Sequence, residues 1–397
     1  MGAPFGGIRV DGAVAGMSRL WSSRAGSVAP PDGERSIGRM QSTNGAGHAE
    51  TTTVARLVAA MPKAELHLHL DGSVRPETAV DLARSRGVEA PRDVAAMREL
   101  LVAPAQCGSQ EELLRRFDLP IALLQDAEAL ARVTMELVDA KAAEGVRYAE
   151  IRWAPGLHSE RGMPLDEGIA AVVDAGGAAA VAAGIVVRFI CTALRSHDPG
   201  FNVRVAEAAA AFRERGLTGF DLAGREESFP DPLAHSWAFD AARAGGLRIT
   251  LHAGEWGGAA QVRRALAVDP ERIANGPGAI DDAALCGELV ARGVTLDLCP
   301  TSNVQAGIVP SVAAHPIARL HRRGVSVTLS TDDATVSDTT LSEEYARTVL
   351  ETGLRLSELW AIDRRALEVA FADEATLAVL RASFAAWADG VPALAGG

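Results

Sequence analysis

Eight short runs of apolar and β-branched residues recur between residues 64 and 333, and no other feature constrains the fold as tightly. They are AELHLHL (64–70), VRYAEIRW (146–153), IVVRFICT (185–192), TGFDLA (218–223), LRITLHAG (247–254), ERIANG (271–276), VTLDLCP (294–300) and VSVTLSTDD (325–333). Several lack strict alternation, as strands buried on both faces do. Helical patterns fill most of the intervals. In DDAALCGELVARG (281–293), Asp281 or Asp282 can cap the first turn, Leu285 and Leu289 share a face, and Gly293 ends the helix. NVRVAEAAAAFRERG stops in the same way at Gly216. Strands alternating with helices imply a parallel sheet, and eight such units predict an α/β fold closed as a (β/α)8 TIM barrel.

The interval after the first strand, residues 71–145, is far longer than the others and includes the helical stretch EELLRRFDLPIALLQDAEALARVTMELVDAKAAEG. An insertion there is expected to lie over the C-terminal mouth of the barrel as a lid; the alternative is helices packed along its side. Residues 1–53, with WSSRAGSVAPPDGERS among them, show neither helical nor strand periodicity and read as a disordered extension. Residues 54–397 then form one barrel domain. The stretch GIAAVVDAGGAAAVAAGIVV (168–187) has the apolarity of a membrane span. Asp174 interrupts it and Gly184 divides it, so a buried helix followed by a buried strand fits better.

Composition removes whole classes of partner. With 39 basic and 51 acidic residues, the net charge of −12 repels polyanions, so neither nucleic acid nor an anionic membrane is an expected partner. Four cysteines, none spaced as a zinc knuckle or redox pair, suit a reducing cytoplasm. A small-molecule substrate is left, and the oligomeric state is open.

Chemistry in such barrels gathers at the C-terminal ends of the strands. Those ends carry His67 and His69 on the first strand, and His252 with Glu255 just beyond it on the fifth. Asn275 ends the sixth, and Asp332 and Asp333 end the eighth. Singly these are ordinary: a lone HxH is often packing, and TDD is often a helix cap or Asx-turn. A closed barrel changes the odds by setting the eighth strand beside the first, so that three imidazoles and a carboxylate face one centre. Such a set suits zinc with one position left for water.

The stretches PKAELHLHLDGS, DLAGREE, LHAGE, LCPTSN and STDD resemble the motifs of the adenosine deaminase family, in matching order on matching strands, over roughly residues 60–385. The resemblance implies one Zn2+ per chain, held by His67, His69, His252 and Asp332. It implies a purine nucleoside substrate, with Glu255 protonating N1 and relaying the water's proton, Asp333 at N7 and the Gly224 N–H at N3. Asp71 would hold the ribose 5′-hydroxyl, beside His69. The charge on Asp71 should repel a 5′-phosphate. The H-x-E and P-C-x-x-C signature of the cytidine-deaminase type is absent.

One position departs from the pattern. The family's sixth strand ends in Gly-His-Gly, and its histidine completes the catalytic set with Glu255 and Asp332; here the run is Ala274-Asn275-Gly276. A carboxamide donates and accepts hydrogen bonds but carries no proton or charge at neutral pH. The expected activity is hydrolytic deamination of a 6-aminopurine nucleoside: adenosine, 2′-deoxyadenosine or a modified adenosine. The alternatives are a zinc hydrolase of this barrel acting on another substrate or C–N bond, or a catalytically weakened relative. His197 is expected to stand behind the site at most, and His158, His235, His315 and His321 read as surface or helix residues.

Overall fold

The computed structural model describes residues 45–394. Two units divide the chain, residues 1–50 and 51–397. Most of the expected disordered extension lies outside the described residues, which begin in a helix, Gly45–Ala60. Strands β1 (Lys63–His69), β2 (Val146–Trp153), β3 (Val186–Leu194) and β4 (Leu217–Ala223) are followed by β5 (Arg248–His252), β6 (Arg272–Ala274), β7 (Thr295–Leu298) and β8 (Ser326–Leu329). They form one parallel sheet in sequence order. All eight coincide with the eight runs read from the sequence.

Closure occurs where the chemistry was expected. A parallel bridge from Leu68 to Asp332 joins β1 to the segment after β8. Across it the His69 N–H donates to the Asp332 carbonyl (2.7 Å) and the Asp332 N–H to the His67 carbonyl (3.1 Å). The bonds that shut the barrel therefore also set the spacing of three expected ligands.

Local chemistry explains the crossovers. Asp282 accepts from the Leu285 N–H to start helix Ala283–Arg292, and Gly293, at φ 67°, ends it. The 168–187 stretch is the body of helix Leu165–Ala183, capped by Gly184 and running into β3. Among the described residues, no helix is long and apolar enough to cross a membrane.

The long insertion does both of the things foreseen for it. Its last helix, Ala127–Ala143, packs against the neighbouring crossover helix Leu165–Ala183. Its middle crosses the barrel mouth: Ala103, Cys107 and Leu113, with Phe117, form a cluster with Ala306, Ile308, Val336 and Trp256, which follow β7, β8 and β5. The Ala103 and Cys107 N–H groups bond to the carbonyls of Val336 (2.9 Å) and Gln305 (2.7 Å).

Candidate active site

His67 and His69 are two residues apart on β1, so their side chains leave the same face of the strand. With His252 at the end of β5, their Nε2 atoms form a triangle with edges of 3.2 to 3.3 Å. Asp332 Oδ1 lies 3.0 Å from His67 Nε2 and 3.4 Å from His69 Nε2. Tetrahedral zinc with bonds of about 2.0–2.1 Å separates its donors by about 3.3 Å. Three imidazole nitrogens turned towards one another without a metal would set lone pairs or protons in conflict. The donors fit a divalent ion, and they are the one such group among the described residues.

The ligands are themselves held. Asp221 on β4 approaches His252 Nδ1 at 3.1 Å, which leaves Nε2 with its lone pair free for metal. The imidazoles and the Arg152 guanidinium keep the Asp221 carboxyl far below the usual range despite its burial. Ser302 donates to Asp332 Oδ2 at 2.7 Å. His67 Nδ1 faces the Asp297 carbonyl at 3.4 Å, and the Arg195 guanidinium grips the His252 carbonyl at 2.9 Å. None of these supporting residues was read from the sequence, although LCPTSN and TGFDLA contain two of them. A buried carboxylate in a parallel strand, next to a candidate ligand strand, was the available signal.

The carboxylates around the cluster differ in state. Burial is the first cause of the rise in Glu255, to a pKa of about 8, so at neutral pH it holds a proton. Glu226, in DLAGREE, fixes the loop that carries it by accepting from the Trp256 and Gly257 N–H groups (2.9 and 3.0 Å). Burial also raises Asp71 to about 6 and Asp333 well above the carboxylate range. Asp71 Oδ1 and Asp333 Oδ1 are buried without a hydrogen-bond partner. A Cβ on Gly72 would overlap the Asp333 carboxylate, so the glycine of HLDGS is what admits it. Gly224 sits at φ 109° just past β4, a conformation that favours glycine.

Asn275 follows β6, buried, with φ 73°. Its N–H bonds to the Asp297 carbonyl (2.8 Å), the same oxygen that faces His67. Asn and His are among the residues that tolerate a left-handed backbone best, so this turn suits either. The Asn275 Oδ1 accepts from Asn303 Nδ2 at 2.7 Å, while its Nδ2 has no partner.

Of the histidines read as surface or helix residues, His158 and His235 lie in short 3-10 helices, but they and His315 are buried rather than on the surface. His158 lies 3.8 Å from Asp71 Oδ2, and the fold of Pro155–Ser159 carries it inward. His321 does lie in a helix, Ile317–Arg322, and the His197 ring packs on Phe201.

Barrel and donor set fit a metal-dependent hydrolase, and the family to which the chain belongs acts on C–N bonds of cyclic amidines. The chain belongs to the adenosine deaminase family, whose profile, described as adenosine deaminase, matches residues 62–387. An adenosine deaminase of Mycobacteroides abscessus is 40% identical over 329 residues, 78% of this chain and 90% of that protein. A zinc-bound amidohydrolase from Burkholderia ambifaria is 27% identical, with TM-score 0.79 over 90% of this chain and 98% of its own. The N6-methyl-AMP deaminase of Arabidopsis thaliana is also 27% identical, with TM-score 0.72 over 85% and 99%.

Proposed function

We propose that the protein hydrolyses the 6-amino group of a purine nucleoside, releasing ammonia and the 6-oxo product, with one zinc ion per chain. The observation that carries the reading is the convergence of His67, His69 and His252 Nε2 with Asp332 Oδ1 at the separations tetrahedral zinc requires. The zinc seen in the Burkholderia relative supports the choice of ion. When bound, the metal lowers the pKa of a water towards neutrality and so supplies the nucleophile.

The chain's own groups do the rest. Addition of water to the aromatic C6 is assisted by a proton on N1, and Glu255, protonated by burial, is the acid that delivers it. Its conjugate base then accepts a proton from the attacking water and passes it to the departing amine, and the remaining hydroxyl proton returns to Glu255 as the C6 carbonyl forms. Asp333, kept neutral by burial and by Asp332, donates to N7, which is an acceptor. The Gly224 N–H is assigned to N3, and Asp71, beside His69, to the ribose 5′-hydroxyl. Asp71, whose pKa of about 6 leaves it charged at neutral pH, repels a 5′-phosphate and so favours a nucleoside. Four free, buried cysteines accord with a reducing cytoplasm as its compartment.

Asn275 favours a second reading, in which the leaving group is a modified amine. It stands after β6, where the resemblance leads one to expect histidine, and an N6-methyl-AMP deaminase is among the structural neighbours. Loss of a positioned acid, base or electrostatic group costs about 10² to 10⁴ in rate. The test is to purify the protein, measure bound zinc, and follow purine absorbance with adenosine, 2′-deoxyadenosine and N6-methyladenosine, alongside Asn275→His. One zinc per chain and faster adenosine turnover by the variant are expected. A variant no faster on adenosine, beside a wild type that prefers the methylated substrate, would establish the second reading; absence of metal from the folded protein would defeat both.

A further inference from the structure

Asn275 ends a chain of three side chains whose polarity is set at its far end. The Ile317 N–H donates to His315 Nδ1 at 3.3 Å, and a backbone N–H cannot be reversed. His315 is buried, and burial pushes its pKa down to about 3, so the ring is neutral and its one proton is on Nε2. That Nε2–H donates to Asn303 Oδ1 at 3.1 Å. With its oxygen so engaged, Asn303 turns its Nδ2 to Asn275 Oδ1 at 2.7 Å. The Asn275 carboxamide has then only its NH2 edge left, and that edge is buried with no partner.

We infer that His315, acting through Asn303, is a positioning residue that holds Asn275 as a hydrogen-bond donor towards the attacking water. This rests on the deaminase reading given above. An amide free to turn over would present its carbonyl half the time and could then only accept from the water. The His315–Asn303 pair removes that freedom. Asn275 itself lies one carbonyl from the ligand set, since the Asp297 oxygen that accepts from its backbone N–H also faces His67 Nδ1. The chain converts a residue without acid or base function into an oriented donor, a role that oxyanion-type stabilisation uses and that needs no titration.

Asn303→Asp inverts the chain without changing its size. An aspartate there accepts from both His315 and Asn275, and so turns the Asn275 amide over. In the metal-loaded full chain, kcat for the best nucleoside should fall by about 10² to 10³, as for loss of one such donor, with KM within twofold. His315→Leu should lower kcat by about twofold, because the amide then samples both orientations and the donor is in place half the time. His315→Gln, which keeps a donor for Asn303, should restore most of that loss. A second readout does not depend on turnover. The side-chain 15N–1H resonances of Asn275, identified by their loss in Asn275→Ala, should move downfield and exchange more slowly in Asn303→Asp. Unchanged resonances and unchanged kcat in both Asn303→Asp and His315→Leu would overturn the inference. A wild type that deaminates no purine would instead overturn the functional reading, while the resonances still decide the polarity of the chain.

Discussion

Two buried polar clusters share the inside of this barrel, and they differ in how completely their atoms are paired. Below the mouth, Arg272 on β6 donates to Glu150 of β2 and Asp297 of β7, stacks over Phe371 and bonds the Val369 carbonyl. Glu150 also accepts from the Tyr148 hydroxyl, and Asp297 from Thr328. No side-chain atom of these five polar residues lacks a partner. At the mouth, the unpartnered atoms include Asp71 Oδ1, Glu226 Oε1, Asp333 Oδ1, Asn275 Nδ2 and both ring nitrogens of His158. Buried polar groups in native proteins are nearly always satisfied, and isolated exceptions call for an explanation. Those at the mouth surround the candidate metal ligands, where a ligand would complete them. The lower cluster holds strands together; the upper one is built around something not made of protein.

Replacing one residue from each cluster should separate the two roles. Glu255→Gln removes the proton donor but keeps the shape. It should reduce kcat by about 10² to 10⁴ while zinc content and melting temperature stay as they are. A loss of less than tenfold in steady-state assays would show that Glu255 is not the acid. Arg272→Met should do the reverse. Removing one partner strands the carboxylates of Glu150 and Asp297, which costs about 3–5 kcal/mol of stability in urea titrations. If unfolding shifts by under about 1 kcal/mol, the lower cluster is not the staple its pairing implies.

Periodicity made the barrel legible, because eight buried parallel strands cannot be written without eight apolar runs. The ligand residues were legible for a related reason: a histidine or aspartate where a barrel strand ends stands out against Leu66, Leu68 and Leu251. The supporting residues were hidden by the same logic. Asp221 and Ser302 occupy positions where a polar residue has several ordinary explanations, and only the folded chain shows Asp221 meeting His252 from the neighbouring strand. His315 lies 40 residues beyond Asn275 in sequence and reaches it through a side chain on a third segment. No spacing rule connects such residues. The burial of His158 and His235 was not legible because a short polar stretch reads as exposed, whereas the 3-10 helices Pro155–Ser159 and Pro232–His235 bury both rings.

Asp221 tests how far the upper cluster extends. Asn in its place keeps the volume but removes the charge that steadies His252, while Arg152 remains nearby. Metal affinity, measured by competition with a chromophoric chelator, should weaken about 10- to 100-fold, as for other carboxylates behind a histidine ligand. Activity at saturating zinc should largely return. An unchanged affinity would place Asp221 with the structural cluster instead.

The smallest effect comes from one of the unpartnered atoms that lie away from the mouth. Asp363 lies away from the mouth, where its Oδ1 accepts from the Ala64 N–H (2.9 Å) and the Tyr345 hydroxyl (2.8 Å), yet its Oδ2 is buried and unpartnered. If unpartnered atoms mark ligand sites, Asp363 needs another explanation, and protonation provides one. Burial, the largest cause, raises its pKa from 3.8 to about 7, against the pull of its two donors and of Lys63. The folded state therefore binds this proton more tightly than the unfolded chain does. Its contribution to stability is fully present below pH 3.8 and is lost as pH rises towards 7, the opposite sign to a salt-bridged carboxylate. Asp363→Asn, which cannot ionise, should flatten that component of the stability curve in denaturant titrations between pH 4 and 8. A curve of the same slope in variant and wild type would mean that Asp363 is ionised in the folded protein and that its free oxygen has a partner after all. A flattened curve would show that a buried oxygen without a partner can be accounted for by its own carboxyl proton, with no ligand from outside the chain.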